Sequence, residues 1–198
     1  EIVLAQKREV ELALSQKYVE REEALGGLDN RLVKVIIGPR RAGKSFFAMH
    51  VLPAGSFGYA NFDHEQLALV GDYSKIVDAI DEVYGKPEFL LFDEIQNLPR
   101  WELFINRLQR QGRKLVITGS NSNLLSSELA THLTGRHLQT TLFPFSFREA
   151  LRFWGADGQA AEGKLWEYLQ RGGYPELYAS DMQPRQYLST LFDAVLFK

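Results

Sequence analysis

No cysteine occurs anywhere in the 198 residues. That excludes disulfides and cysteine–zinc sites and leaves an intracellular, cytoplasmic setting unopposed. No apolar run approaches the roughly 18 residues of a membrane span, and no signal peptide is visible. Basic charge is not in excess either: 23 Lys and Arg stand against 25 Asp and Glu, a net charge of −2, with a pI of about 6.1. This balance carries no general nucleic-acid footprint, although it leaves room for a local basic patch. The four histidines, His50, His64, His132 and His137, have no metal-ligand spacing and no third ligand, and read as structural. Internal repeats and low-complexity segments are absent. What remains is a chain 45% hydrophobic, long enough to bury a full core and a second, smaller lobe.

The most informative stretch is Leu32-Val33-Lys34-Val35-Ile36-Ile37 followed by Gly38-Pro39-Arg40-Arg41-Ala42-Gly43-Lys44-Ser45. A β-branched apolar run breaks at a glycine, passes through a turn, and opens into a helix at Lys44-Ser45-Phe46. This is the phosphate-binding loop pattern G-x-x-x-x-G-K-[ST] in its strand–loop–helix context. Gly38 and Gly43 let the backbone curl so that successive N–H groups point at a β-phosphate. The helix that follows presents its positive dipole end to the same anion. Lys44 is placed to bridge the β- and γ-phosphates, and the Ser45 hydroxyl to ligate Mg²⁺. The pattern predicts nucleoside triphosphate binding, with Gly38 through Phe46 forming the cradle. Within it, Arg40 and Arg41 are expected to point away from the phosphates into structural or interface roles.

Elsewhere the chain alternates strands and helices. Residues 1–25 are free of Gly and Pro and put Val3, Val10, Leu14 and Tyr18 on one helical face, which predicts an N-terminal helix packed on the core and closed by Gly26-Gly27. Strands are expected at Phe57–Phe62, Phe89–Phe92, Lys114–Thr118 and His137–Leu142. Helices are expected over 65–67, 74–84, 101–108 and 124–133. Asp63 reads as an N-cap. The unbroken apolar run Phe89-Leu90-Leu91-Phe92 fits a strand buried on both faces of a parallel sheet. After Phe143 the texture becomes aromatic and helical, with a break at Gly172-Gly173-Tyr174-Pro175 and no further strand. The predicted organisation is an N-terminal helix (1–27), an α/β core with a parallel sheet flanked by helices (28–143), and a small helical lobe (144–198). The chain begins without methionine and stops inside an apolar helical pattern, so continuation beyond Lys198 is expected.

Hydrolysis requires more than a phosphate cradle. Asp93, ending the buried run, is the expected second Mg²⁺ contact, acting through metal-bound water. Glu94 is placed to accept a proton from an attacking water. The strand after it ends in Thr118-Gly119-Ser120-Asn121. If that strand lies between the first strand and the Asp93 strand, Ser120 or Asn121 sits beside the γ-phosphate and orients the water. Arg136, before the fifth strand, is either an arginine finger acting in a neighbouring subunit or a solvated cation at a helix C-terminus. The aromatics Phe143, Phe145, Phe147, Phe153 and Trp154 have only Arg148 and Arg152 among them, and read as core rather than as base-stacking platforms.

In chain order, the phosphate loop, Phe92-Asp93-Glu94-Ile95-Gln96 with Trp101-Glu102, Thr118-Gly119-Ser120-Asn121-Ser122, Leu133-Thr134-Gly135-Arg136, Pro144-Phe145-Ser146-Phe147-Arg148-Glu149 and Gly172-Gly173-Tyr174-Pro175-Glu176 resemble the prokaryotic AAA-family ATPases with a C-terminal DUF4143 domain. The Pro-Phe-Ser-Phe-Arg-Glu run is the part most specific to that group. The resemblance implies an AAA+ P-loop core of five parallel strands in the order 5-1-4-3-2, a helical lid, and ATP as the nucleotide. It also implies a C-terminal region akin to restriction-endonuclease folds, lying outside this sequence. No unmistakable sensor-2 arginine is present in the lid; Arg185 is the candidate.

The expected function is a Mg²⁺-dependent ATPase whose lid transmits nucleotide state to the C-terminal region, with homo-oligomers formed where Arg136 serves in trans. The alternative is a nucleotide-gated binding switch with little turnover. A DNA-processing motor needs a basic channel that this composition lacks, and a phosphotransferase needs an acceptor pocket that is not legible.

Overall fold

The computed structural model describes residues 1–120, 133 and 135–196. Asn121 and the helix expected over 124–133 fall largely outside them. The chain divides into two compact units. One comprises Glu1–Tyr18, Glu23–Arg40 and Lys44–Leu142; the other comprises Val19–Glu22, Arg41–Gly43 and Phe143–Lys198.

The first unit is an α/β layer structure. Strands β1 (Val33–Ile37), β2 (Phe57–Asn61), β3 (Phe89–Asp93), β4 (Lys114–Gly119) and β5 (His137–Thr141) form one sheet in the order β2-β3-β4-β1-β5. Every neighbouring pair is parallel, and the order is the expected one. Strand β4 therefore lies between β1 and β3, meeting the condition on which the Ser120 reading depended. The register pairs Ile37 with Gly119 and Phe92 with Ile117, so the ends of these three strands open at one edge of the sheet. Loops at such carboxyl ends are where open α/β sheets bind ligands.

Strand parity assigns the two cores. Val33, Val35, Ile37, Leu90, Phe92, Leu115 and Ile117 share one cluster with Ile76 and Ile80 of α4 (Ser74–Tyr84) and with Trp101, Phe104, Ile105 and Leu108 of α5 (Trp101–Arg110). Ile36, Tyr59, Leu91 and Val116 share the other with Phe47 and Ala48 of α2 (Lys44–Val51). Helix α4 ends as its sequence predicts, on Gly85 in the left-handed conformation. The buried β1 is not wholly apolar. Lys34, 1% exposed, reaches along the strand to donate from Nζ to the Asn30 and Leu32 carbonyls at 2.7 and 2.6 Å, which satisfies an otherwise costly ammonium.

The N-terminal helix α1 (Ile2–Leu14) is shorter than its pattern suggests. Ser15 closes it, donating its N–H and hydroxyl to Leu12 and its N–H also to Glu11. Gln6 fixes α1 to the edge strand β2, exchanging bonds of 3.0 and 3.1 Å with the backbone of Asn61. Covering an exposed strand edge in this way protects it from pairing with other chains. In the short α3 (Glu65–Ala68) the N-cap position is His64, and Asp63 instead accepts from Asn97 Nδ2 at 2.6 Å.

From residue 147 on, the second unit is built of helices: α6 (Phe147–Trp154), α7 (Gly158–Arg171), α8 (Pro175–Ala179) and α9 (Pro184–Leu196). Helix α6 begins with a capping box. Ser146 Oγ accepts from the Glu149 N–H, and the Glu149 carboxylate accepts from the Ser146 N–H at 2.8 Å. The same carboxylate accepts from Arg21 Nε and from the Glu22 N–H, both at 2.8 Å. The Pro-Phe-Ser-Phe-Arg-Glu run thus places one carboxylate where it caps a helix and also fixes residues 21–22. Val19, Phe145, Ala150, Leu177 and Tyr178 form this unit's core.

Candidate nucleotide-binding site

The loop after β1 is built around positions that side chains tolerate poorly. Gly38 has φ +151°, and a Cβ there would lie 2.0 Å from the Leu142 carbonyl oxygen. Gly43 has φ +86°, and Arg41, at φ +64°, is also left-handed. Beyond the loop, Lys44 starts α2 and is 4% exposed. Its Nζ donates to the Gly38 and Pro39 carbonyls at 3.2 and 3.0 Å, so the ammonium is folded back over the start of the loop. Burial lowers the Lys44 pKa from its usual value, while the charges of Glu94 and Asp93 oppose that fall.

Asp93 ends β3 and is 4% exposed. Three hydroxyls surround its carboxylate. Ser45 Oγ donates to Oδ1 at 2.7 Å, Thr118 Oγ1 donates to the same oxygen, and the Tyr59 hydroxyl donates to Oδ2 at 2.8 Å. Burial raises the Asp93 pKa, and these three hydrogen bonds pull against it. The Tyr59 phenol is held well above its ordinary value by burial and by the Asp93 charge beside it, which keeps it a donor.

Glu94 follows in the left-handed region, at φ 49° and ψ 47°, a conformation that non-glycine residues adopt rarely and that clusters at functional sites. Its N–H donates to Thr118 Oγ1 at 3.2 Å. Oε1 stands 4.0 Å from Lys44 Nζ. Oε2 accepts from Ser120 Oγ at 2.8 Å, from the Ser120 N–H at 3.3 Å and from Gln96 Nε2. The other end of that amide, Gln96 Oε1, is buried without a partner.

The first unit thus brings Lys44, Ser45, Asp93, Glu94 and Ser120 into one hydrogen-bonded and charge-paired group, five residues that the sequence singled out. The donor set suits a nucleoside triphosphate and a hard divalent cation: an ammonium and helix N–H groups for phosphate, a serine hydroxyl and a carboxylate for the metal. Phe46 is half-buried, with its ring 4.2 Å from His50 and 6.1 Å from Tyr18. Arg40 is exposed. Arg136 is exposed and lies at the amino-terminal end of the strands, opposite the phosphate loop, where its carbonyl accepts from Val33 N–H at 2.9 Å. The five residues of β1 separate it from its own phosphate loop by about 16 Å. Asn121, the other candidate beside Ser120, lies outside the described residues, and Arg185 is exposed. No group of three or more His, Cys, Asp or Glu able to hold a metal occurs among the described residues.

In the second unit, Arg41 pairs with Glu176 at 2.5 Å, and the same carboxylate oxygen accepts from the Tyr187 hydroxyl at 2.8 Å. Arg21 Nη1 donates to the Ala42 carbonyl at 3.1 Å. Ala42 contributes its backbone carbonyl here, and Arg41 points to structural partners. Tyr59, Thr118, Gln96 and Arg21 were not legible as site residues. Tyr59 could have been found only by combining strand parity with strand order, because it pairs with Leu91, two residues before Asp93 on the same face.

Fold and site together define a P-loop nucleotide-binding protein with the sheet order of AAA-type ATPases. The chain belongs to the AAA domain family AAA_14, whose model matches residues 30–151. It is 31% identical over 209 residues to an uncharacterized protein of Methanocaldococcus jannaschii, covering 96% of this chain and 46% of that one. It is 33% identical over 202 residues to an uncharacterized protein of Haemophilus influenzae, covering 92% of this chain and 50% of that one. The chain therefore spans about half the length of the curated relatives it matches. A solved structure, the Signal Transduction ATPase with Numerous Domains protein with a tetratricopeptide repeat sensor from Pyrococcus horikoshii, superposes with a TM-score of 0.52 at 15% identity over 89% of this chain and 32% of that one. That likeness speaks to the fold alone. No helix among the described residues is long and apolar enough to cross a membrane.

Proposed function

We propose that this protein binds ATP with Mg²⁺ and hydrolyses it, using Gly38–Phe46 as the phosphate cradle. The observation that carries the reading is the direct contact of Ser45 Oγ with Asp93 Oδ1 at 2.7 Å, with Lys44 Nζ 4.0 Å from Glu94 Oε1. Bound Mg²⁺ would neutralise phosphate charge and the charge that develops on the leaving oxygen. Lys44 would exchange the Gly38 and Pro39 carbonyls for β- and γ-phosphate oxygens. Glu94 takes the proton of a water as its oxygen bonds to the γ-phosphorus and the bond to the β–γ bridging oxygen breaks. Ser120, bonded to Glu94 Oε2, orients that water. Arg136, remote from its own loop, acts on the phosphate of a second copy in a homo-oligomer. The helical lobe carries nucleotide state to a C-terminal effector domain of the DUF4143 kind, in the cytoplasm.

Phosphate release from ATP and Mg²⁺, measured across protein concentrations, tests this. Glu94→Gln is expected to lower turnover by about 10²–10⁴-fold with ATP binding retained, the usual loss for a general base. Specific activity that rises with concentration and falls in Arg136→Ala supports the finger. One observation favours a second reading, a nucleotide-gated switch: Glu94 Oε2 is held by Ser120 and Gln96 and Oε1 faces the Lys44 ammonium at 4.0 Å, so protein groups engage both oxygens of the proposed base. Tight ATP binding with negligible turnover at every concentration would select the switch.

A further inference from the structure

Asp93 is the residue proposed to face the divalent cation, and a carboxylate does that well only if its two oxygens are aimed. Of its three hydroxyl partners, Ser45 is itself a proposed metal ligand and would leave Asp93 on binding. The other two have no such second duty. Tyr59 sits in β2 opposite Leu91 of β3. Its hydroxyl lies 2.8 Å from Asp93 Oδ2, two residues further along β3. Thr118, in β4 on the other side of β3, is fully buried. Its hydroxyl donates to Asp93 Oδ1 and accepts the Glu94 N–H at 3.2 Å. Strands on both sides of β3 thus supply one hydroxyl each, and one of the two also holds the backbone of the proposed base.

We infer that Tyr59 and Thr118 are positioning residues, a pair of hydroxyls that hold the Asp93 carboxylate from opposite sides and set its orientation toward the divalent cation. The inference rests on the Mg²⁺–nucleotide reading of the site. With Ser45 gone to the metal, Tyr59 holds Oδ2 and Thr118 keeps Oδ1 turned to the cation's water shell. Without them the buried carboxylate is free to rotate, and the shell must order it on binding. Outer-shell partners of metal ligands characteristically carry ten- to a hundredfold in metal affinity.

The test is a fluorescent ATP analogue titrated against the protein in EDTA and then at rising Mg²⁺, so that metal dependence is read apart from turnover. Tyr59→Phe and Thr118→Val are expected to leave affinity in EDTA within about twofold. Each should raise the Mg²⁺ concentration for half-maximal enhancement by about tenfold or more. Thr118→Ser, which keeps the hydroxyl, is expected to restore the Mg²⁺ dependence lost in Thr118→Val. Should Tyr59→Phe fold poorly, the contrast between these two variants is the readout, and equal Mg²⁺ dependence in both would overturn the inference. Equal weakening in EDTA and in Mg²⁺ would reduce both residues to a structural role and overturn the inference, as would wild-type Mg²⁺ dependence in both hydroxyl-less variants. Wild-type binding that ignores Mg²⁺ altogether would instead overturn the reading of the site on which the inference stands.

Discussion

Arg21 offers the sharpest test of how the second unit is held together. Its side chain is 3% exposed and that of its partner Glu149 is 2% exposed. The guanidinium spends its donors on three acceptors: Glu149 Oε1 at 2.8 Å, the Ala42 carbonyl at 3.1 Å and the Phe143 carbonyl. It also lies 4.9 Å from the centre of the Phe145 ring. Removing one member of a buried pair strands the other charge, at a typical cost of about 3–5 kcal/mol. Glu149 keeps the N–H groups of Glu22 and Ser146, and water can enter the space left behind, so Arg21→Ala is expected near the lower end, about 3 kcal/mol. Arg41–Glu176 is the internal control. Those side chains are 54% and 40% exposed, and Arg41→Gln should cost under about 1 kcal/mol. Urea unfolding followed by circular dichroism and by tryptophan fluorescence, with Trp154 and Trp166 in this unit, reads both. A loss below about 1 kcal/mol for Arg21→Ala would show that the cluster behaves as a solvated surface pair and would refute the reasoning.

Other outcomes follow from the site. The Asp93 pKa is raised by burial above its ordinary 3.8, so between that value and the raised one the folded state binds more protons than the unfolded state, and stability falls as pH rises through the window. Without Mg²⁺, Asp93→Asn should therefore unfold at a higher temperature than wild type at pH 7, with the gap closing below about pH 4; a lower midpoint at pH 7 would contradict this. Gly38→Ala puts a Cβ 2.0 Å from the Leu142 carbonyl and is expected to cost at least about 2 kcal/mol and to abolish nucleotide binding, checked by thermal melting and by titration of a fluorescent ATP analogue. Lys34→Met, exchanging the ammonium for an apolar end and leaving the Asn30 and Leu32 oxygens to water or to no partner, should cost about 1–3 kcal/mol in urea unfolding; a neutral result would mean those carbonyls rehydrate freely.

Legibility was uneven in a way that tracks the range of the forces involved. Helix α5 could be read because Trp101, Phe104, Ile105 and Leu108 repeat within a single element, and α4 because Gly85 stops it locally. The end of α1 could not. Residues 15–25 are good helix formers, yet Val19 belongs to the core of the second unit and Arg21 is bonded to Glu149, 128 positions away. Long-range burial overrides propensities worth a few tenths of a kcal/mol per residue. The motif Gly172–Glu176 was conspicuous without being interpretable, because its partner Arg41 lies 135 positions earlier.

Local sequence was enough to single out the proposed phosphate and metal groups. A strand, a glycine turn and Lys44-Ser45, then an apolar run ending in Asp93-Glu94, are local patterns whose meaning depends only on neighbouring residues and on the needs of a phosphate and a metal. Which further groups stand around those residues depends on the assembled sheet. Tyr59 reaches Asp93 because β2 lies beside β3 in a parallel register, and Ser120 reaches Glu94 because β4 lies between β1 and β3. Strand order and register arise from the packing of the whole sheet against its helices, and no short stretch of sequence carries that information.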